Sequence, residues 1–297
     1  MIKDFNTYIN EGLFDRNQSE FAIRKTDKGT EQVYIPKTRD ELCSYIDIAI
    51  ENAKKDGTYP NVNLNNIDVS ELGNDELKGL FGDIYSYIIP DISNWDIKYI
   101  PRKFFDGNEQ IEEFTIPDNV TSIGESAFNA CRGLTSVEIP NSVTSIENRA
   151  FANCSSLTSV RIPDNVTSID DFAFADCDVL ISVTIPNSVT SIEGGAFSGC
   201  KNLTSITIPN NVTNIGICAF YGCSALTSVD IPDSVTNIRK WAFRECSKLV
   251  SVTIPNSVTS IGDFAFYDCN DLTSVTISKH CNIESNSFPE DCKIIRK

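Results

Sequence analysis

Leu134-Thr-Ser-Val137-Glu-Ile139-Pro140-Asn-Ser-Val143-Thr-Ser-Ile146-Glu-Asn-Arg-Ala150-Phe151-Ala-Asn-Cys154 decides the fold, because its pattern returns along the chain at a fixed interval. Proline recurs at Pro117, Pro140, Pro163, Pro186, Pro209, Pro232 and Pro255, each step being 23 residues. Cysteine keeps the same step at Cys131, Cys154, Cys177, Cys200, Cys223, Cys246 and Cys269. An Ala-Phe pair does likewise, from Ala127-Phe128 to Ala265-Phe266. So strict a period means one supersecondary unit stacked on copies of itself, a solenoid.

Within the repeat, Val137 and Ile139 alternate with period two, which predicts a short strand with one buried face. Pro140 lacks a ladder donor and ends that strand, and Pro-Asn or Pro-Asp makes the turn. The step from Val143 to Ile146 brings the chain back over the core, and Phe151 and Cys154 fill the far side. No repeat can bury its apolar face alone, so stability comes from its neighbours. The cysteine column is expected to be a ladder of buried thiols, because free Cys behaves as a small hydrophobe. Seven thiols cannot pair off completely, and no C-x-x-C spacing for zinc exists.

The chain has 297 residues, 41% of them hydrophobic, which is enough for a continuous core and a small extra region. Its net charge of −16 argues against nucleic acid and anionic lipid as partners. No apolar run has transmembrane length, and Met1-Ile2-Lys3-Asp4-Phe5-Asn6 does not open a signal peptide. A cytoplasmic protein without membrane insertion is therefore expected, with a monomer favoured.

The L-x-x-V-x-I strand resembles the core of leucine-rich repeats. With I-P after the strand and A-F-x-x-C on the return, the pattern resembles the BspA-like class of bacterial leucine-rich repeat proteins over residues 117–277. The resemblance implies a right-handed parallel-β solenoid with roles in protein binding and adhesion, commonly at bacterial surfaces, so a cell-surface location is also open.

The ends depart from the pattern, as caps do. Ile97, Ile100, Phe105, Ile111, Phe114 and Ile116 sit 23 residues before their counterparts, a degenerate repeat with Asn108 in place of the ladder cysteine. Asn65–Ser70 and Asp91–Asp96 resemble shorter repeats of the same family. Thr38-Arg39-Asp40-Glu41 is a capping-box pattern, followed by Leu42, Tyr45, Ile46, Ala49 and Ala53 at helical spacing and a stop at Gly57. Phe5, Tyr8 and Ile9 predict a short helix ended by Gly12, and the polar stretch Asp15 to Lys28 predicts a loosely ordered arm. Lys293-Ile294-Ile295-Arg296 is expected to supply a last strand that closes the core. The expected organisation is an arm and capping helix (1–60), degenerate capping repeats (61–116), seven repeats (117–277) and a C-terminal cap (278–297).

Enzymatic constellations are not legible. The single histidine, His280, lies in the degenerate last repeat, and no phosphate-binding glycine loop is present. Acidic crowding at Asp170, Asp171, Asp176 and Asp178 matches no calcium loop. No cofactor and no metal are expected.

Candidate binding residues lie in two places. Outward strand positions carry serine from Ser136 to Ser274, beside a column where Glu138, Arg161 and Asp230 interrupt threonines. Seven stacked strands would make a polar ribbon on the order of 30 Å long. The second place is the three residues after the return isoleucine, where the repeats differ most, together with a variable pair after the Ala-Phe that includes Tyr221, Arg244 and Tyr267. Tyr221, Arg239, Trp241, Arg244, Phe264 and Tyr267 have the aromatic and Arg character of interface anchors and come from repeats five to seven. Phe172, Trp241 and Phe264 share one repeat position and could instead cover the core edge. Cys218, in that same column, is the thiol expected to meet a reagent first. The expected function is a non-enzymatic scaffold that binds a protein partner. The alternative is a structural or displayed component of a cell-surface or virion assembly, docked through residues 1–36.

Overall fold

The computed structural model describes residues 20–26, 29–65 and 67–297, with side chains from Tyr34 onward except Asn74. The helix expected at Phe5–Gly12 lies outside the described residues, as does most of the arm proposed for docking. The chain forms two compact units: one comprises the described residues to Leu77 with Ile88–Ile97, the other Lys78–Tyr87 with Lys98–Lys297.

In the first unit, the stretch expected to be loose holds a strand. Glu20–Thr26 pairs antiparallel with Gly29–Ile35, in register from Glu20 opposite Ile35 to Thr26 opposite Gly29. The capping helix spans Arg39–Asp56; Thr38 Oγ1 accepts from the Glu41 N–H and Gly57 ends it in the left-handed region. Leu42, Tyr45, Ile46, Ile50 and Ala53 are its buried face, Ile50 taking the place expected for Ala49. Strand Asn61–Asn63 pairs in parallel with Ile89–Asp91. The Trp95 indole N–H donates to the Leu64 carbonyl (2.9 Å), which ties the two shorter repeats together.

The second unit is a parallel-β solenoid. Its continuous ladder is not the strand read from Val137 and Ile139. Nine two-residue strands, from Tyr99–Ile100 to Asn282–Ile283, form one parallel sheet on the return segment. Isoleucine sits opposite isoleucine at each step, as Ile146 does opposite Ile123 and Ile169. The expected polar ribbon exists only as separate pairs, such as Ser159–Arg161 with Ser182–Thr184 and Ser228–Asp230 with Ser251–Thr253. The repeat proline ends each of these strands early, because it has no N–H to donate. At the C-terminus, Lys293–Arg296 pairs in parallel with Ser274–Ile277 as expected, yet all four of its residues are exposed. Phe288 and Cys292, not this strand, cover the last core layer.

Two columns hold the coils together inside. Ten phenylalanines, Phe81, Phe105 and then Phe128 to Phe288, stack ring on ring with centroids 4.9–5.6 Å apart. The ladder thiols are all fully buried and free. Each donates S–H to the carbonyl of the phenylalanine 26 residues earlier, as Cys200 does to Phe174 (3.2 Å). At most repeats the thiol is a second donor to a carbonyl that already accepts the backbone N–H three residues on, as the Phe197 carbonyl does from Cys200 (3.3 Å). Asn108 does the same work with an amide, donating from Nδ2 to the Phe81 carbonyl (3.2 Å).

On the surface, threonines reach one coil back. Thr144 Oγ1 donates to the Thr121 carbonyl (3.1 Å) and Thr190 Oγ1 to Thr167 (3.2 Å). Their hydroxyls thus bind neighbouring coils besides solvating the sheet.

Two left-handed residues per repeat turn the return loop. One column runs Ser126, Arg149, Phe172, Gly195, Cys218, Trp241 and Phe264, with φ between 54 and 62°. The other holds Ala130, Asn153, Asp176, Gly199, Gly222, Glu245 and Asp268. Non-glycine residues in this region carry about 1–2 kcal/mol of strain each. The geometry turns the N–H toward the next coil: Phe172 N–H donates to the Gly194 carbonyl (2.8 Å) and Asn153 N–H to Ala175 (2.7 Å).

No helix among the described residues is long and apolar enough to cross a membrane.

Candidate functional site

The variable return loops bring three of the six aromatic and arginine candidates around the guanidinium of a fourth, Arg244. Arg244 lies 6.0 Å from the Tyr221 ring, 6.0 Å from Phe264 and 5.5 Å from Tyr267. Phe264 and Tyr267 meet edge to face with centroids 5.2 Å apart. Glu245 and Asp268 complete the shell, 3.4 Å from Arg244 Nε and 3.8 Å from Nη2. Tyr221 donates from its hydroxyl to Glu245 Oε1 (2.7 Å); that bond, then burial, holds the phenol above its ordinary pKa. The spacing that makes this cluster is one coil: Tyr221 and Arg244, like Arg244 and Tyr267, stand 23 residues apart.

Trp241 and Arg239 lie on the same edge. Lys240 Nζ sits 4.2 Å over the Trp241 ring, and the indole N–H is covered by protein with no acceptor in reach. Arg239 donates from Nε to Asn214 Oδ1 (3.0 Å).

Arg239 also lines a groove of about 360 Å³ with Asp171, Phe172, Glu193, Ile217 and Cys218. Small residues let the coils pack closely beside the groove. In the left-handed column the bulky Phe172 and Trp241 are separated by the small Gly195 and Cys218. Phe172 lies over Gly195 so closely that a Cβ there would come within 2.4 Å of its ring. At Gly216 a Cβ would meet only backbone, 2.5 Å from the Glu193 carbonyl carbon. Between them Ile217 is 47% exposed, which leaves an apolar floor open to solvent. The opposite end carries a second cation–aromatic pair, Arg149 at 4.9 Å from the Phe172 ring.

The strand-face candidates do not converge. Glu138 accepts from Thr115 Oγ1 (3.2 Å), Arg161 pairs with Asp164 (3.3 Å), and Asp230 stands exposed three coils beyond Arg161. Cys218 is half-buried, as is Cys43, and burial pushes its thiol above the ordinary value although Arg244 and Lys240 pull it down. His280 is exposed at the C-terminal cap. Among the described residues no group of three His, Cys, Asp or Glu side chains converges on a point.

A sequence reading for aromatic and arginine anchors finds the Arg244 cluster and misses the groove. The signal for it is the pair Gly194-Gly195, which occupies two columns where most other repeats carry larger side chains, with Gly216 near by on the next coil.

The family model for a BspA type leucine rich repeat region matches residues 98–223 and 167–296, with six copies. No curated protein matches. Among solved structures, a leucine rich cell surface protein from Faecalibacterium prausnitzii is 28% identical with a TM-score of 0.48, over 72% of this chain and 73% of that one. A leucine-rich repeat protein from Eubacterium ventriosum is 24% identical with a TM-score of 0.51, over 62% of this chain and 57% of that one. The pneumococcal vaccine antigen PcpA is 20% identical with a TM-score of 0.52, over 80% and 68%. The last two share the solenoid fold. The family match spans about two thirds of the chain, and the chain belongs to the BspA type leucine-rich repeat family.

Proposed function

We propose that this chain is a non-enzymatic scaffold for protein interaction and adhesion, and that it docks its partner on the return-loop edge of repeats three to seven. The observation that carries this reading is the contrast between two surfaces of one solenoid. The strand face is small, polar and repetitive, and its charged residues are scattered. The return-loop edge places Trp241, the Arg244 cluster and the groove side by side on neighbouring coils. Loops on a rigid scaffold are the usual seat of recognition, and aromatic and arginine side chains dominate interface energetics. The coils are fixed by their own hydrogen bonds, so little ordering accompanies docking.

Capture of a partner from bacterial and host lysates, repeated with variants, tests this. Trp241→Ala and Arg244→Ala are each expected to weaken capture by about tenfold or more, while Arg161→Ala and Asp230→Ala leave it unchanged. The reverse pattern would move the docking surface to the strand face.

A further inference from the structure

We infer that the last strand, Lys293–Arg296, takes an extended segment of a partner protein onto its free edge. That segment is apolar and β-branched, with an acidic residue at the end that lies beside Lys297. This contact is separate from the return-loop edge and does not depend on it.

The hydrogen bonding leaves this edge open. Lys293–Arg296 pairs in parallel with Ser274–Ile277 and, among the described residues, with no other strand. Lys293 N–H donates to the Thr273 carbonyl (2.8 Å) and Lys297 N–H to the Ile277 carbonyl (3.1 Å). The Lys297 carbonyl accepts from the Lys279 N–H (2.9 Å). Bonding groups alternate sides along a strand, so the N–H and C=O groups of Ile294 and Arg296 face away from the solenoid. A row of free donors and acceptors is the template for strand addition. Ile294 pairs beside buried Val275 on the core face, yet is 41% exposed, so an apolar side chain on an added strand would cover it.

The charge around the strand selects what docks. Residues 278–297 carry Lys279, Lys293, Arg296 and Lys297 against Glu284, Glu290 and Asp291, a positive balance in a chain whose net charge is −16. Among the described residues none of these four cations has a carboxylate within ion-pair distance. Three of them gather at one end. Lys279 is bonded to Lys297 through the backbone, and Arg296 Nη1 donates to the carbonyls of Lys279 (3.3 Å) and Cys281 (3.0 Å). Even a carboxylate at Lys297 leaves a positive balance there. The carboxylates lie elsewhere. Glu290 and Asp291 precede the strand and line a hollow of about 240 Å³ with Asp268, and Glu284 accepts from the Asp263 N–H (3.2 Å). An acid is therefore favoured beside Lys297 and opposed at the start of the strand. A second copy of this chain fits poorly. Two such edges, paired antiparallel so that Ile294 and Arg296 are both used, set Lys293 of each copy opposite Lys297 of the other, and like charges directly opposite destabilise a pair.

The test uses the full chain and a fluorescent peptide blocked at both ends, Thr-Val-Thr-Val-Asp-Asp, against Thr-Val-Thr-Val-Lys-Lys, read by anisotropy. The acidic peptide is expected to bind the more tightly and to weaken as salt rises. Two further versions carry N-methyl groups on alternate backbone nitrogens. One set is expected to abolish binding and the other to spare it, because only one side of an added strand meets the edge. Ile294→Pro removes an edge donor without touching a bond to Ser274–Ile277, and is expected to weaken binding by about tenfold or more. A Lys279→Glu, Lys297→Glu double variant is expected to do the same, while Trp241→Ala, on the return-loop edge, leaves binding unchanged. Thermal melts confirm that each variant is folded, and if Ile294→Pro is not, the methylated peptides and the charge variant still decide. Equal binding of the acidic and basic peptides, equal binding of the two methylated sets, or no binding of the acidic peptide at about 1 mM overturns the inference. So does tight binding of oligothymidylate with none of the peptide. Dimerisation of the chain in sedimentation that Ile294→Pro abolishes would give the edge to a second copy and overturn it as well.

Discussion

Moving the protein from about pH 9 to about pH 10 is expected to lower its unfolding free energy by roughly 6 kcal/mol, comparable to the whole stability of many domains. The cause is the thiol ladder. Burial raises the pKa of Cys131, Cys154, Cys177, Cys200, Cys223 and Cys246 above the ordinary value of 9.0, with Cys223 pushed up to about 12. These thiols stay protonated in the folded chain while those of the unfolded chain ionise. The folded state then binds more protons, so stability falls as pH rises. The contribution is fully present below the unfolded value of 9.0 and is lost progressively as pH climbs toward the raised folded values. Each thiol adds about 1 kcal/mol between about pH 9 and 10, because the unfolded thiol is half ionised at the start and nearly fully ionised at the end, and six act together. Urea unfolding at several pH values between about 7 and 10 measures the slope. A stability that changes by less than about 1 kcal/mol across the last two units would contradict the buried ladder.

Phe197→Ala is expected to destabilise the chain by about 3–5 kcal/mol. The ring is fully buried and lies between Phe174 and Phe220, with centroids 5.6 Å away on each side and planes within 7° of parallel. Its removal opens a cavity in the middle of the stack. The neighbouring coils cannot collapse into it, because their carbonyls and N–H groups are fixed coil to coil. Phe197 N–H itself donates to the Ala219 carbonyl (2.8 Å), and the Phe197 carbonyl accepts the Cys223 thiol (3.2 Å). A solenoid is stabilised by nearest-neighbour interfaces, so a break in the middle weakens both halves. Phe288→Ala, at the end of the stack and touching Phe266 alone among the described rings, is expected to cost less. Equal effects at both positions, read from urea midpoints, would argue against coupling along the stack.

Much of this was legible because the chain repeats itself. The phenylalanine and cysteine columns could be placed inside from their period, and both are buried at every repeat. What the period could not reveal was which part of the repeat forms the long sheet. Ser145–Ile146 and its equivalents are two-residue strands, too short for any alternation to register. The left-handed turns were half legible. Asn153, Asp176 and Gly199 are residue types that favour such a conformation, whereas Arg149, Phe172 and Trp241 give no hint of it. For the same reason the Arg244 cluster could be foreseen from its residue types and the groove could not. A cluster is made of side chains of recognisable type, while the groove is lined by residues of mixed type from several coils, Gly194, Gly216 and Ile217 among them.

The residues that keep the period build the scaffold, and those that break it are free to face a partner. Native-state thiol labelling tests that division most directly, because cysteines occur in both classes. With a small aromatic disulfide reagent near neutral pH, Cys218 and Cys43 are expected to react first, being half-buried. The seven ladder thiols from Cys131 to Cys269, fully buried and each bonded to a carbonyl, are expected to stay protected until denaturant unfolds the chain. Reaction of the ladder thiols in the native state at the rate of the unfolded chain would contradict the stacked core on which every other claim depends.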